Sequence, residues 1–315
     1  MSVDPSPPSA ARQTSATEGQ DSPPAQPVGM AQVLERVRQA EDVVKPHVVE
    51  FRHVSKTYNA NRPNEYTAIR DVSFVVEDLK DKGEFVCVLG PSGCGKSTIL
   101  RLIAGLEPQF PATSGDVLVL GQPVMQPGAD RGMVFQDYTS FDHRTVLDNV
   151  TFGLECQGVS RRERYDLGRE WIDRVGLKVT KDQYKYPHEL SGGMRQRVAI
   201  ARTLVLRPRI ILMDEPFGAL DPQTRMNMQD LLVGLWRSVE ATVFFVTHSI
   251  EEAVFLGDRV YVMSTSPGTI AQELEVEPAD RPAREMASQP RFLRAVDYIR
   301  DLIVKLEQRP EHVAT

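Results

Sequence analysis

Residues 84–98 read EFVCVLGPSGCGKST. An apolar run of strand length enters a glycine-rich loop, and a run through Ile99, Leu102 and Ile103 leaves it as a helix that stops at Gly105. The loop Gly90, Pro91, Ser92, Gly93, Cys94, Gly95, Lys96, Ser97 fits G-x-x-x-x-G-K-[ST] in the strand-to-helix setting that this pattern requires. Its glycines let backbone N–H groups close on phosphate oxygens, and the helix start adds roughly half a positive charge. The pattern predicts that Lys96 reaches the outer phosphates, that Ser97 ligates Mg²⁺ and that Thr98 joins the cradle. Cys94 reads as a small loop filler, although a thiol at a helix start can be unusually reactive.

Working outward, VVEFRHV from Val48 and AIRDVSFVV from Ala68 precede the loop as strands; GDVLVLG from Gly115 and GMVFQ from Gly132 follow it. Residues 145–179 change to helical spacing and interrupt the β pattern as an inserted helical subdomain, with bounds of about 140–205. Strands RIILMD, TVFFVTH and RVYVMS then alternate with helices over Pro222–Val239 and Ile250–Leu256. Alternation of this kind predicts an α/β fold with a parallel sheet whose ligands gather beyond the carboxyl ends of the strands. Phe292, Val296, Ile299 and Ile303 space a last amphipathic helix. At the start, Met1 to Gly29 is rich in Pro, Ser, Gln and Ala and reads as a disordered tail, followed by a marginal helix over 31–45. The expected units are an extension over 1–46, the main domain over 47–285, and a helix and tail over 286–315.

The composition bounds the function. A chain of 315 residues with 41% hydrophobic residues can bury a true core, and its net charge of -6 supplies no basic field for nucleic acid. Three cysteines, Cys87, Cys94 and Cys156, have no framework spacing, which fits a reducing compartment. No apolar run approaches the ~20 residues of a membrane helix, so any work at a membrane borrows its span from a partner.

Asp214 and Glu215 end RIILMD, a strand whose apolar run marks it as buried. Two adjacent acids there suit a second Mg²⁺-side carboxylate, Asp214, and a base that polarises the attacking water, Glu215. His248 closes the neighbouring strand, TVFFVTH, where it can meet a γ-phosphate.

Together these residues resemble the ATPase subunits of ABC transporters, over about Val49 to Gly268. Besides the phosphate loop and ILMDEP, VFQD places Gln136 as the glutamine of the Q-loop, a metal-side and catalytic position in that family, and LSGGMRQR is similar to the family signature. GALD ending at Asp221 looks like the D-loop, VTHSIEEA like the H-loop, and Tyr58 in VSKTY sits where the family's adenine-stacking aromatic belongs. The resemblance implies a P-loop NTPase core with an antiparallel β subdomain and an inserted helical subdomain, with ATP and Mg²⁺ as cofactors. It also gives the second glycine pair a purpose: Ser191, Gly192 and Gly193 open another helix able to hold an anion. In the family that second hand belongs to another subunit, so two copies dock head to tail around two ATP molecules. The implied partners are a second ATPase subunit, integral membrane permease subunits and a substrate-binding protein, at the cytoplasmic face of the membrane and without nucleic acid.

Within the family, MDEPFGALDPQTR and THSIEEAVFLGDRVYVMS look like the importers of nitrate, sulfonates and taurine. Asp142 and His143 depart from the Pro-Trp common there, on the segment expected to grip the permease. A non-transport ABC-type ATPase of translation or DNA repair usually carries two cassettes or a long coiled-coil insertion, and this chain has neither. A P-loop small-molecule kinase leaves LSGGMRQR without a purpose.

Overall fold

The computed structural model describes residues 47–79, 82–137 and 139–308, so the expected tail and the helix over 31–45 lie outside it. Its strands form two sheets. β1 (Val49–Tyr58), β2 (Tyr66–Val76), β4 (Ser114–Val119) and β5 (Gln122–Pro123) make an antiparallel sheet in the order β2-β1-β4-β5. β3 (Phe85–Leu89), β6 (Arg131–Val134), β7 (Ile210–Asp214), β8 (Thr242–Thr247), β9 (Arg259–Met263) and β10 (Ile270–Glu275) make the second, in the order β10-β9-β3-β8-β7-β6. All its pairings are parallel except β9 with β10. β3, β7 and β8 are buried along their whole length, which is why they read as unbroken apolar runs rather than alternating ones. β10 is absent from the sequence expectations: IAQELE alternates between half-buried and exposed on the sheet's edge and carries little apolar signal.

The helices are α1 (Lys96–Ala104), α2 (Val146–Cys156), α3 (Arg161–Arg174), the single turn α4 (Val179–Asp182), α5 (Gly192–Leu204), α6 (Pro222–Trp236), α7 (Ile250–Leu256), the turn α8 (Ala283–Met286) and α9 (Pro290–Glu307). α6 stops at Trp236, short of the expected Val239. α2, α3 and α5 pack on one another through Leu147, Val150, Trp171 and Ile172, and the same apolar cluster continues to Phe85, Met213 and Phe245 of the parallel sheet. A second cluster joins Val49, Phe51 and Val72 of the antiparallel sheet to Ile99 and Ile103 of α1 and to Val86 and Phe244. The phosphate loop is thus seated between two cores, and α9 packs on α7, adding Phe292, Val296 and Ile299 to the first of them.

Candidate functional site

Helix α1 begins without a side-chain cap: Gly95 stands at its N-cap with φ of 95°, a left-handed conformation that glycine adopts at no steric cost. A Cβ there would meet Ile69 Cγ2 at 2.4 Å and the Ala68 carbonyl oxygen at 2.9 Å. The first N–H groups of α1 are therefore left for a ligand. Lys96 is 4% exposed and its ammonium donates to the carbonyls of Gly90 (2.8 Å) and Pro91 (2.9 Å), with Glu215 Oε1 3.9 Å away. Two of its three protons thus hold the loop in shape, and the third remains for an incoming oxygen.

Ser97 donates its hydroxyl to Asp214 Oδ1 at 2.7 Å, joining the start of α1 to the end of β7. Burial pushes the Asp214 carboxyl above its ordinary value, against the pull of the Ser97 bond and of Arg101, whose Nη2 lies 3.7 Å from Oδ2. One residue on, Glu215 leaves the strand with φ of 43° and donates its N–H to the Val246 carbonyl, so its side chain turns off the sheet. Its Oε2 lies 3.1 Å from His248 Nδ1 at the end of β8. A proton on that nitrogen would be donated to the carboxylate.

Tyr58, Ser92, Gly93, Gly95, Lys96, Ser97, Thr98 and Glu215 line one cleft of about 290 Å³. Tyr58 shares its wall with Tyr66, the rings near parallel with centroids 6.4 Å apart, and its hydroxyl lies 3.3 Å from Thr98 Oγ1. Sequence reasoning left Tyr66 out. Its hydroxyl donates to the Gly93 carbonyl at 2.9 Å and accepts from Ser266 at 3.0 Å, pinning an exposed ring to the phosphate loop. The signal that could have found it is register, because Tyr66 is the cross-strand partner of Tyr58 in β1–β2. A larger groove of about 620 Å³ lies at the amino ends of β3, β7 and β8, bounded by Gly83, Arg209 and Thr242, and has no such cradle.

Cys94 is 1% exposed with its thiol pushed up by burial, so the loop-filler expectation stands and the reactive one does not. Gln136, Ser191, Gly192, Gly193 and Asp221 do not line the cleft. Gln136 is exposed just past β6. Ser191 is exposed and caps α5 through the Met194 N–H at 3.3 Å; a Cβ on Gly192 would meet nothing within 4 Å, whereas one on Gly193 would lie 3.0 Å from Thr224 Cγ2 of α6, so this second helix start is open at Ser191 and Gly192 and packed at Gly193. Asp221 caps α6 through the Thr224 N–H at 3.0 Å, and hydrogen bonding to the Thr224 side chain and then to its backbone holds the Asp221 carboxyl below the ordinary value.

A glycine-opened helix at the carboxyl end of a parallel strand (β3), with paired acids where β7 ends on the far side of β8, defines a P-loop nucleotide-binding ATPase. The family model for ABC transporters matches residues 70–218. The nitrate import ATP-binding protein NrtD of Synechocystis sp. is 48% identical over 81% of this chain and 94% of that relative. The taurine import ATP-binding protein TauB of Rhizobium johnstonii is 45% identical over 82% of this chain and 98% of its own length. Among solved structures, the dimeric bacterial ABC transporter cassette MJ0796 superposes with a TM-score of 0.63 at 32% identity, over 73% of this chain and 99% of that one. The chain belongs to the ABC transporter family, as an ATP-binding subunit that hydrolyses ATP.

Proposed function

We propose that two copies of this chain close head to tail on two ATP molecules and drive a separate membrane permease that imports a small anion or zwitterion of the nitrate or taurine kind. The observation that carries the pairing is the separation, inside one chain, of the phosphate loop from the glycine-opened start of α5. Each has the physics of an anion site, and the second is open at Ser191 and Gly192. The substrate class follows the relatives, one a nitrate and the other a taurine import protein. Among the described residues no helix is long and apolar enough to cross a membrane, so the permease supplies the span, with this chain against its cytoplasmic face and a substrate-binding protein delivering the cargo. The helices between 140 and 205 form the subdomain that grips the permease, beside Gln136.

In this reading Tyr58 stacks the adenine, the backbone of Gly90 to Gly95 and Lys96 hold the phosphates, and His248 steadies the γ-phosphate. Glu215 orients and polarises the attacking water. Ser97 and Asp214 fit Mg²⁺: they offer hard oxygens 2.7 Å apart, and the described residues hold no cage of three or more His, Cys, Asp or Glu. Mg²⁺ favours this arrangement, taking one or two protein oxygens plus phosphates and water, and when bound it would neutralise phosphate charge. From its partner, Ser191, Gly192 and Gly193 cover the same γ-phosphate, with Asp221 at the seam.

The test is cross-linking of Ser92→Cys with Ser191→Cys, in a Cys156→Ser background because Cys156 is an exposed free thiol. ATP should promote bonds between chains. Bonds formed only within one polypeptide would overturn the pairing. For the cargo, ATP turnover by the reconstituted permease complex should rise with loaded binding protein on addition of nitrate or taurine; a response to neither removes the substrate assignment.

A further inference from the structure

Glu252 on α7 takes no part in the chemistry above, yet it is a carboxylate only 5% exposed. Its Oε2 accepts the Thr247 hydroxyl at 2.6 Å, and that hydroxyl oxygen accepts the Ser249 N–H at 3.0 Å. The residue between these two anchors is His248. Ser249 in turn caps the Glu252 N–H at 3.2 Å, so the turn that aims the imidazole is fastened to α7 by both the side chain and the backbone of Glu252.

The other carboxylate oxygen faces α6. Oε1 lies 3.7 Å from Arg225 Nε, a buried nitrogen with no hydrogen-bond partner, and Arg225 Nη2 donates to the Leu220 carbonyl at 3.0 Å. Leu220 immediately precedes Asp221 and belongs to the tight connection from Glu215, whose carbonyl accepts the Gly218 N–H at 3.2 Å. The contacts therefore close a ring: Glu215, the 217–220 turn, Arg225, Glu252, Thr247, His248 and back to Glu215 across 3.1 Å.

We infer that Glu252 and Arg225 are positioning residues that couple the Leu220–Asp221 segment to the aim of His248, so that docking of a second copy against Asp221 sets the hydrolytic geometry. Neither side chain lines the nucleotide cleft, so their effect falls on turnover rather than on ATP affinity. The pairing partner rests on the function proposed above; the internal coupling does not. Misplacement of a reacting group by about an ångström costs about 10- to 100-fold in rate, which is the loss expected when the ring is cut.

The experiment compares Arg225→Met, Glu252→Gln and the double variant with wild type. ATP kcat and KM are measured, together with the imidazole resonances of His248 followed by NMR in dilute, nucleotide-free protein. Each single variant should lower kcat by about tenfold or more while KM stays within about twofold, and the double variant should be no worse than the worse single one, the signature of one shared chain of contacts. The His248 resonance should move in Arg225→Met although residue 225 does not touch the ring, and Arg225→Lys should restore part of the turnover. An unmoved His248 resonance, kcat losses that multiply in the double variant, or parallel losses of affinity and thermal stability would overturn the coupling. Because the NMR arm needs no dimer, failure of ATP-driven pairing in wild type would sink the pairing and leave the coupling standing.

Discussion

At the scale of single residues, the site separates binding from chemistry. Glu215 sits against both Lys96 and His248 without contacting the loop backbone, so Glu215→Gln should keep nucleotide affinity while hydrolysis falls by about 10² to 10⁴, the usual worth of a positioned base. Equilibrium binding of a fluorescent nucleotide beside a steady-state ATPase assay checks both halves. Tyr66 should act on affinity instead. Tyr66→Ala removes half of a two-ring wall and should weaken ATP by about 1 kcal/mol, in the range of one aromatic pair, with little effect on inorganic triphosphate, which has no base to stack. Tyr66→Phe keeps the ring, so by calorimetry its difference from wild type isolates the hydroxyl bond to Gly93 and its difference from Tyr66→Ala isolates the ring.

Elements decide how closely the loop is held. The turn Ser264–Gly268 after β9 lies against the phosphate loop, with the Gly268 N–H on the Ala68 carbonyl and its own carbonyl on the Arg70 N–H. A Cβ on Gly268 would fall 1.8 Å from the Cys94 carbonyl oxygen. Gly268→Ala should therefore force the turn off the loop, cost about 1–3 kcal/mol in a denaturant titration, and weaken ATP as well. The sequence was most readable where structure is local. The phosphate loop, its strand and α1 are one contiguous segment, and α7 was read at its observed bounds because caps and periodicity are short-range signals. Pairing was less readable. β3 lies in a different sheet from β1 and β2 although it follows them, and β10 is a polar edge strand. Tyr66 and Glu252 escaped notice because their importance comes from partners across a hairpin or on another helix. Gln136, Ser191 and Asp221 were legible as motifs, yet a single chain leaves them outside the cleft.

For the whole molecule, the apolar joint between the two sheets also carries one titratable polar cluster. Arg259 on β9 donates to the Val75 carbonyl of β2 and to Glu84, and Tyr261 hydrogen-bonds both Arg259 and Val75. Burial pushes the Tyr261 hydroxyl up to about 12, from an ordinary value of 10.0. Between those two values the unfolded chain releases this proton and the folded chain keeps it. Folding stability is thus unaffected by Tyr261 below about pH 10 and falls as pH rises through the folded value, by an amount on the order of 2 kcal/mol. Alkaline unfolding followed by circular dichroism should show that decline, and Tyr261→Phe should flatten it relative to wild type.

That α5 starts outside its own chain's cleft has a genetic corollary. If two copies pair as proposed, a copy carrying Lys96→Ala would spoil only the compartment built on its own loop, and a copy carrying Ser191→Arg only the compartment built on its neighbour's. Two such defective alleles expressed together would assemble hybrids with one compartment wholly intact, and growth on the imported nutrient would return, whereas placing both lesions in one allele alongside a healthy one would ruin every hybrid.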